Sequence, residues 1–568
     1  MKKIIFILML LMIPAASALE GHMTLLAAYE TGNGTYEGTP ADLTLEITKG
    51  RGRVFLETFP LTKMDTQIST RFSKDIACSY LDISCSNYDF IYTIKADSII
   101  IGGPSAGAAV SLLTISLLNN LELDQNVAMT GTINSGGIIG PVGGIKAKID
   151  AASKAGMTKV LIPKGERFII EGDETEDLKE HADKFNITLV EVSDIDEALE
   201  QFTGKRFVKE NKTIITDESY KETMKFLAER LCNRSDFLIA KINPTDNQTK
   251  QLTEIGLNLT QKGRETYSSK KYYSAASYCF GANVKFSHAI MEAETPSFEQ
   301  RNERITSIRM KIKDFDEKIS KKEIKTITDL ESFAVVKERL KEAEGYIDEA
   351  WLSLNNSEES IFKTAYAEER LYSAYSWAFF FDNRGRVFDI NKEQIKESCI
   401  KKISEAEERY QYLLMLYPLP LDDTRKEIDF AKHDLENESY ELCLFKASKA
   451  KASSDILLNL MGVDEDNVEE LISQKLSIVK NTIAKQVNNN IFPIVGYSYY
   501  EYADTLKEDD PYSALLYSEY ALELSNLDMY FNGRKTTKTL NINPSLILIF
   551  FVGLLIGVLI SFIIIKRK

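Results

Sequence analysis

Histidine is scarce in this chain. Only His22, His181, His288 and His433 occur in 568 residues, and they are scattered. That makes a Ser-His-Asp triad hard to assemble, and with no C-x-x-C spacing it argues against a zinc site. A long interior run of Lys and Arg is also missing, and the net charge is −15. Phosphate backbones need clustered cations, so nucleic acid is not expected as the main partner. No G-x-x-x-x-G-K-[ST] string appears, so the usual nucleotide-gripping loop is lacking. Neither a cofactor nor a metal is expected. What remains is a globular composition, 44% apolar and 27% charged, in a chain too long for one ordinary core.

The two ends carry the address. "MKKIIFILMLLMIPAASALE" opens with Lys2 and Lys3, runs on through apolar residues and reaches Ala16-Ser17-Ala18, the pattern of a cleavable signal peptide over 1–18. Leu546–Ile565 is an unbroken apolar stretch of 20 residues, the length of a bilayer-spanning helix. Lys566, Arg567 and Lys568 (566–568) then form a basic cytoplasmic tail, which places the bulk of the chain outside the cytoplasm, tethered to the cell membrane by a single pass. Six cysteines suit that compartment; sequence-local pairing would join Cys78 to Cys85, Cys232 to Cys279 and Cys399 to Cys443, one of 15 possible connectivities that the sequence leaves open.

Between the ends lie two textures. Up to about residue 207 the chain is glycine-bearing. "MTLLAAY", "DLTLEITKG", "FIYTIKAD", "VAMTGTI", "KVLIP" and "ITLVEV" read as strands. Helices are expected over 65–84, in "PSAGAAVSLLTISLLNN", "KAKIDAASKAG", "DLKEHADKF" and "DIDEALEQF", with "GGIIGPVGGI" as a glycine-rich hairpin or loop. This predicts an α+β or mixed α/β domain over 19–207. From 215 to 534 glycine nearly vanishes and Tyr- and Ala-rich helical patterns echo one another, as in "GRETYSSKKYYSAASYCFGANVKF". That predicts an all-α helical-hairpin, tetratricopeptide-like region. "FEQRNERITSIRMKIKDFDEKISKKEIK" reads either as a long coiled-coil-like arm or as a helix with a solvated charged face, the commoner case, and 535–545 as a juxtamembrane stalk.

"GGPSAGAAVS" at 102–111 poses the chemical question. If Ser105 is a nucleophile it needs a base. A lysine can serve once burial lowers its pKa. "GPVGGIKAKIDAASKAG" offers Lys146 and Lys148 at the start of a helix. "GPSAG" at 103–107, "AMTG" at 128–131 and "GPVGGIKAK" at 140–148 together resemble the proteolytic domain of the Lon family of Ser-Lys proteases, in order and with 43 residues from Ser105 to Lys148. The resemblance covers roughly 23–205. It implies Ser105 as nucleophile, Lys148 rather than Lys146 as general base, and Thr130 as support for the lysine. The amides near Gly103 and Ser105 are candidates for the oxyanion hole.

Two departures matter. Lon proteases usually carry an acidic residue two positions before the proline, where this chain has Gly102. They also carry an ATPase module, which these motifs lack. The layout resembles archaeal membrane-anchored proteins that join a secreted Lon-type domain to a helical region. The expectation is therefore an ATP-independent serine endopeptidase acting on unfolded or extended protein or peptide segments. Family domains form rings, which leaves a homo-oligomer open. Two other readings compete: a phosphate-binding kinase of the GHMP type built on the same glycine-rich loop, and a non-catalytic surface scaffold binding partners through its helical array.

Overall fold

The structure, a computed structural model, describes residues 19–30, 36–81, 83–96, 104–171, 174–206, 214, 217–244, 246–381, 385–388, 390–416, 422–460 and 468–531. The expected signal segment, Gly102, Gly103, the stalk, the apolar stretch 546–565 and the basic tail lie outside them. Among the described residues no helix is long and apolar enough to cross a membrane.

The first region is built on β1 (Leu19–Glu30), β2 (Tyr36–Lys49), β3 (Val54–Phe59), α1 (Met64–Leu81), β4 (Tyr88–Ala96), α2 (Gly107–Leu118), β5 (Val127–Met129), β6 (Thr132–Ile133), β7 (Ile139–Gly140), α3 (Ile145–Lys154), β8 (Lys159–Pro163), β9 (Phe168–Glu171), β10 (Glu174–Asp177), α4 (Leu178–Asp183), β11 (Thr188–Val192) and α5 (Ile195–Thr203). Seven strands form one mixed sheet in the order β11-β8-β5-β1-β2-β4-β3. β1 runs antiparallel to β2 but parallel to β5, and the β5-β8-β11 half is parallel throughout. Alternation along the strands feeds both faces. Leu25 and Leu161 join α1, α2 and α5 in one core, whereas Leu26, Val160 and Ile162 join α3 and α4 in the other. Parallel strands covered on both faces read as apolar runs, which is why "KVLIP" stands out in the sequence.

"VAMTGTI", expected as one strand, splits at Thr130 into β5 and the β6–β7 hairpin. The edge strand β3 and the β9–β10 hairpin are additional to the expected set. Caps fall where short polar side chains announce them: Asp177 accepts from the Lys179 amide and Asp194 from the Glu197 amide.

The second region is all-helical: α6 (Glu218–Ile239), α7 (Asn247–Ser268), α8 (Tyr272–Glu294), α9 (Phe298–Ile319), α10 (Ile327–Leu352), α11 (Ser357–Trp377), α12 (Lys392–Leu416), α13 (Asp422–Glu436), α14 (Tyr440–Leu460), α15 (Val468–Asn488), α16 (Ile494–Leu506) and α17 (Pro511–Leu524). Consecutive helices pack pairwise, α7 on α8, α10 on α11, α13 on α14 and α16 on α17. Capping boxes at Asp246, Ser297 and Thr326 start α7, α9 and α10. In place of a coiled-coil-like arm the charged segment forms one helix, α9, folded onto α10 and α11. Its Ile305, Ile308, Ile312 and Ile319 recur at helical spacing and are all buried, so the charged remainder is simply the solvated face. The three disulfides join Cys78–Cys85, Cys232–Cys279 and Cys399–Cys443.

The helical region sits against the sheet domain. Ile138, at the tip of the β6–β7 hairpin, packs among Ile456, Leu471 and Leu515. Lys164 pairs with Glu470, Arg71 with Glu408 at 3.3 Å, and Lys485 Nζ donates to Ser79 O at 3.3 Å.

Candidate active site

Ser105 lies in a single 3₁₀ turn, Pro104–Ala106, that leads into α2. A turn of backbone ties it to the end of β5. The Gly131 amide donates to Ser105 O at 2.9 Å, and the Ala108 amide donates to Gly131 O at 3.1 Å. Proline at the turn start supplies a compatible φ and needs no hydrogen-bond partner for its nitrogen. Ala108, Ala109 and Val110 behind it are buried, so they pack rather than face a ligand.

Lys148 reaches the same place from α3. That helix starts at Gly144, whose φ of 69° suits glycine, and it lies close over β2 at Gly38. A Cβ at Gly38 would sit 1.7 Å from Ala147 O, so glycine there sets how closely α3 can approach the sheet. The two lysines then part. Lys146 points outward and pairs with Glu176 at 2.7 Å. Lys148 points inward and is 3% exposed.

Lys148 Nζ donates to Thr130 Oγ1 at 3.1 Å, and Thr130 Oγ1 in turn donates to Ser105 O at 3.4 Å. Thr130, itself buried, is therefore the link between the lysine and the serine's backbone. Burial brings the Lys148 pKa down to about 7, and the charge of Glu166 opposes that shift without reversing it. A protonated amine here would lose its hydration with only the charge of Glu166, among the described residues, to offset part of the loss, so the neutral form gains.

Ser105 and Lys148 both line a cavity of about 490 Å³. Leu25, Leu26, Ile94 and Val142 make its walls apolar. Four further lining residues that bear on its chemistry or shape were not among the sequence candidates. Glu166, on the turn after β8, brings a carboxylate. Asn134, 1% exposed, brings a side-chain Nδ2 that has no hydrogen-bond partner among the described residues. Tyr412 of α12 and Leu458 of α14 reach in from the helical region. Asn134 follows "AMTG" closely enough to be suspected. Nothing local marks Tyr412 or Leu458, because they come from 264 or more residues beyond Lys148.

Of the other candidates, Gly103 lies outside the described residues. Neither His22 nor His181 lines the cavity, and His181 Nε2 lies 2.8 Å from Asp150 Oδ1. Among the described residues, one trio of carboxylates has the spacing of a metal site: Asp455, Glu519 and Glu523. Each already faces a cation: Glu519 pairs with Lys475 at 2.5 Å, Asp455 with Arg409 at 3.0 Å, and Glu523 with Lys402 at 3.0 Å. The donor set is spent on ion pairs.

Residues 85–204 match the family profile of the Lon protease (S16) C-terminal proteolytic domain. The chain is 34% identical over 167 residues to an archaeal Lon protease of Archaeoglobus fulgidus, covering 28% of this chain and 24% of that protein. It is 34% identical over 146 residues to an archaeal Lon protease of Thermoplasma volcanium, covering 24% and 21%. With a Lon protease of Clostridium beijerinckii it shares 33% over 141 residues, covering 24% and 17%. The chain thus spans less than a quarter of the length of these relatives. It carries a Lon-type proteolytic domain, matched over residues 85–204, on a mixed sheet followed by an all-helical region.

Proposed function

We propose that this protein is an ATP-independent, membrane-anchored serine endopeptidase working outside the cytoplasm on unfolded or extended protein segments. One observation carries the chemistry: a buried lysine whose pKa lies near 7 shares a cavity with Ser105 and is held by Thr130. A neutral amine has one lone pair and two hydrogens. With one hydrogen committed to Thr130, its rotation is restrained and the lone pair is available to a proton donor.

Lys148 takes the Ser105 proton as Oγ attacks a peptide carbonyl. The ammonium that results gives its proton to the leaving amine. Water, deprotonated by the lysine, then cleaves the acyl-enzyme and returns Ser105. The developing oxyanion lies at the start of α2, where the Ser105 amide and the positive helix end favour negative charge, and Gly103 is the adjacent candidate donor.

The wider reading rests on sequence. Three disulfides suit an oxidising compartment. The apolar stretch 546–565 with its basic tail suits a single span, and the lack of a G-x-x-x-x-G-K-[ST] string suits proteolysis without ATP. The paired helices suit a tetratricopeptide-like array that receives substrate.

Casein degradation by the purified chain without ATP tests the proposal. Ser105→Ala and Lys148→Ala should each lower the rate by about a thousandfold or more with the fold intact by circular dichroism. Wild-type rates in both variants would remove the dyad, and a strict need for ATP would remove the ATP-independent part.

A further inference from the structure

A second cavity, about 310 Å³, lies wholly within the helical region. Seven helices converge on it: α6, α8, α10, α11, α14, α16 and α17. On α11 the lining residues Tyr366, Arg370, Ser373 and Trp377 recur at helical spacing and form one face. Much of the wall is aromatic. Tyr273 meets Trp377 edge-on at 6.1 Å, and Tyr502 meets Tyr517 at 4.7 Å.

The charges on the wall do not balance. Three cations line it, Arg339, Arg370 and Lys449, against two carboxylates, Glu338 and Glu342. Lys449 pairs with Glu338 at 3.0 Å, and Arg370 pairs with Glu342. Arg339 has neutral partners instead: its Nε donates to Ser373 Oγ at 2.9 Å and its Nη1 to Val335 O at 3.5 Å, while its guanidinium stacks over Trp377 at 4.8 Å. Burial and the neighbouring Arg370 act against its charge, while Tyr273, Glu338 and Tyr499 favour it from outside ion-pair contact. A guanidinium in an aromatic cavity that, among the described residues, has no carboxylate in ion-pair contact favours an anion, and a carboxylate fits its planar fork. The tyrosines supply apolar area together with hydroxyls that both donate and accept.

We propose that this cavity binds a peptide carboxylate flanked by apolar or aromatic side chains, with Arg339 meeting the carboxylate. The volume is at the small end for ligand sites, enough for one or two side chains and not for a folded partner. It is a docking site distinct from the Ser105 cavity. Lys449 and Leu458 line the two cavities from the same helix, α14, nine residues apart. At 1.5 Å and 100° per residue they lie about 14 Å apart along the axis and on opposite faces.

Binding is measured directly, so the outcome does not depend on the peptidase reading. The chain has two tryptophans, Trp351 and Trp377. Trp351→Phe in a Ser105→Ala background leaves Trp377 as the sole reporter and prevents cleavage by that serine. Three N-acetylated peptides are titrated to millimolar concentration into the full chain: Ala-Ala-Tyr-Leu as free acid, the same peptide as C-terminal amide, and the amide with Glu replacing the second Ala. The expected result is saturable quenching by the free acid, the Glu amide or both, and none by the neutral amide. The free acid alone identifies a chain end, and quenching by the Glu amide identifies an acidic side chain. Arg339→Gln should weaken the acid at least tenfold, and Arg339→Lys should recover part of that loss. Equal binding of the neutral amide, no response to any peptide, or full affinity in folded Arg339→Gln overturns the proposal. If Arg339→Gln does not fold, the acid-against-amide comparison in the parent decides alone.

Discussion

Two buried lysines, one in each region, show how opposite fates follow from the same burial. Lys148 in the sheet domain and Lys402 in the helical region are each 3% exposed. Lys148 has a threonine hydroxyl beside it, and its pKa falls to about 7 through desolvation. Lys402 has Glu405 at 2.9 Å and Glu523 at 3.0 Å, and those carboxylates raise its pKa despite the same desolvation. Burial sets the penalty on the charge, and the neighbours decide whether it is met. The helical region meets it repeatedly, with Lys475 on Glu519 and Lys451 on Glu523. The sheet domain meets it only in part at Lys148, through the charge of Glu166.

The sharpest way to break this comparison is to make each lysine apolar. Lys148→Met should remove proteolysis, by about a thousandfold or more, while leaving stability unchanged within about 1 kcal/mol or higher. Lys402→Met should do the reverse: it takes the Lys402 cation from Glu405, leaves Glu523 with Lys451, and costs roughly 3–5 kcal/mol, with the dyad untouched. Urea unfolding and casein turnover on the same two proteins read both outcomes.

The next effect is on pH. Only the neutral form of Lys148 accepts a proton, so kcat/KM should rise about tenfold per pH unit below pH 7 and level off above it. The two lysines also carry opposite stability signs. The Lys148 pKa is depressed on folding, so its contribution is lost as pH falls from the unfolded value of 10.5 through about 7. The Lys402 pKa is raised, so its contribution is complete below 10.5 and lost as pH climbs through the folded value. A rate profile flat from pH 5.5 to 8.5 would contradict the neutral-base assignment.

Thr130→Val sharpens the same point on a smaller scale. It removes the acceptor of the Lys148 hydrogen bond. The rate should drop about tenfold and the inflection should move below that of the parent, because a hydroxyl acceptor favours the ammonium form. Thr130→Ser should keep both near parent values. The smallest effect concerns the wall lent by the helical region. Leu458→Ala enlarges the cavity at Ser105, and it should shift kcat/KM by about tenfold or less toward bulkier side chains in matched peptides.

Much of this was legible in the sequence. β1, β2, β4, β8 and β11 announce themselves by alternation or by short apolar runs. The sequence left the pairing of the six cysteines open among 15 connectivities, of which the structure has the local one, and Ser105, Thr130 and Lys148 sit in strings whose order resembles that of one family's site. β3 was missed because it is an edge strand. Phe55 and Phe59 are 43% and 73% exposed, so its apolar residues do not report a core. The choice between arm and packed helix over α9 stayed open for a related reason: a charged surface does not say whether the apolar stripe beneath it meets a partner or the next helix of the same chain.

Periodicity and glycine placement are local properties, and they put a serine at a helix start and two lysines at the head of a second helix; that Lys148 rather than Lys146 serves Ser105 came from the resemblance of the motifs to the Lon family. Only the tertiary structure decided what that lysine is chemically. A pKa depends on how much water is excluded and which charges stand within a few ångströms. Those conditions come from the packing of α3 at Gly38 of β2, from Thr130 at the end of β5, and from the charge of Glu166 after β8, none of which lies beside Lys148 in the sequence.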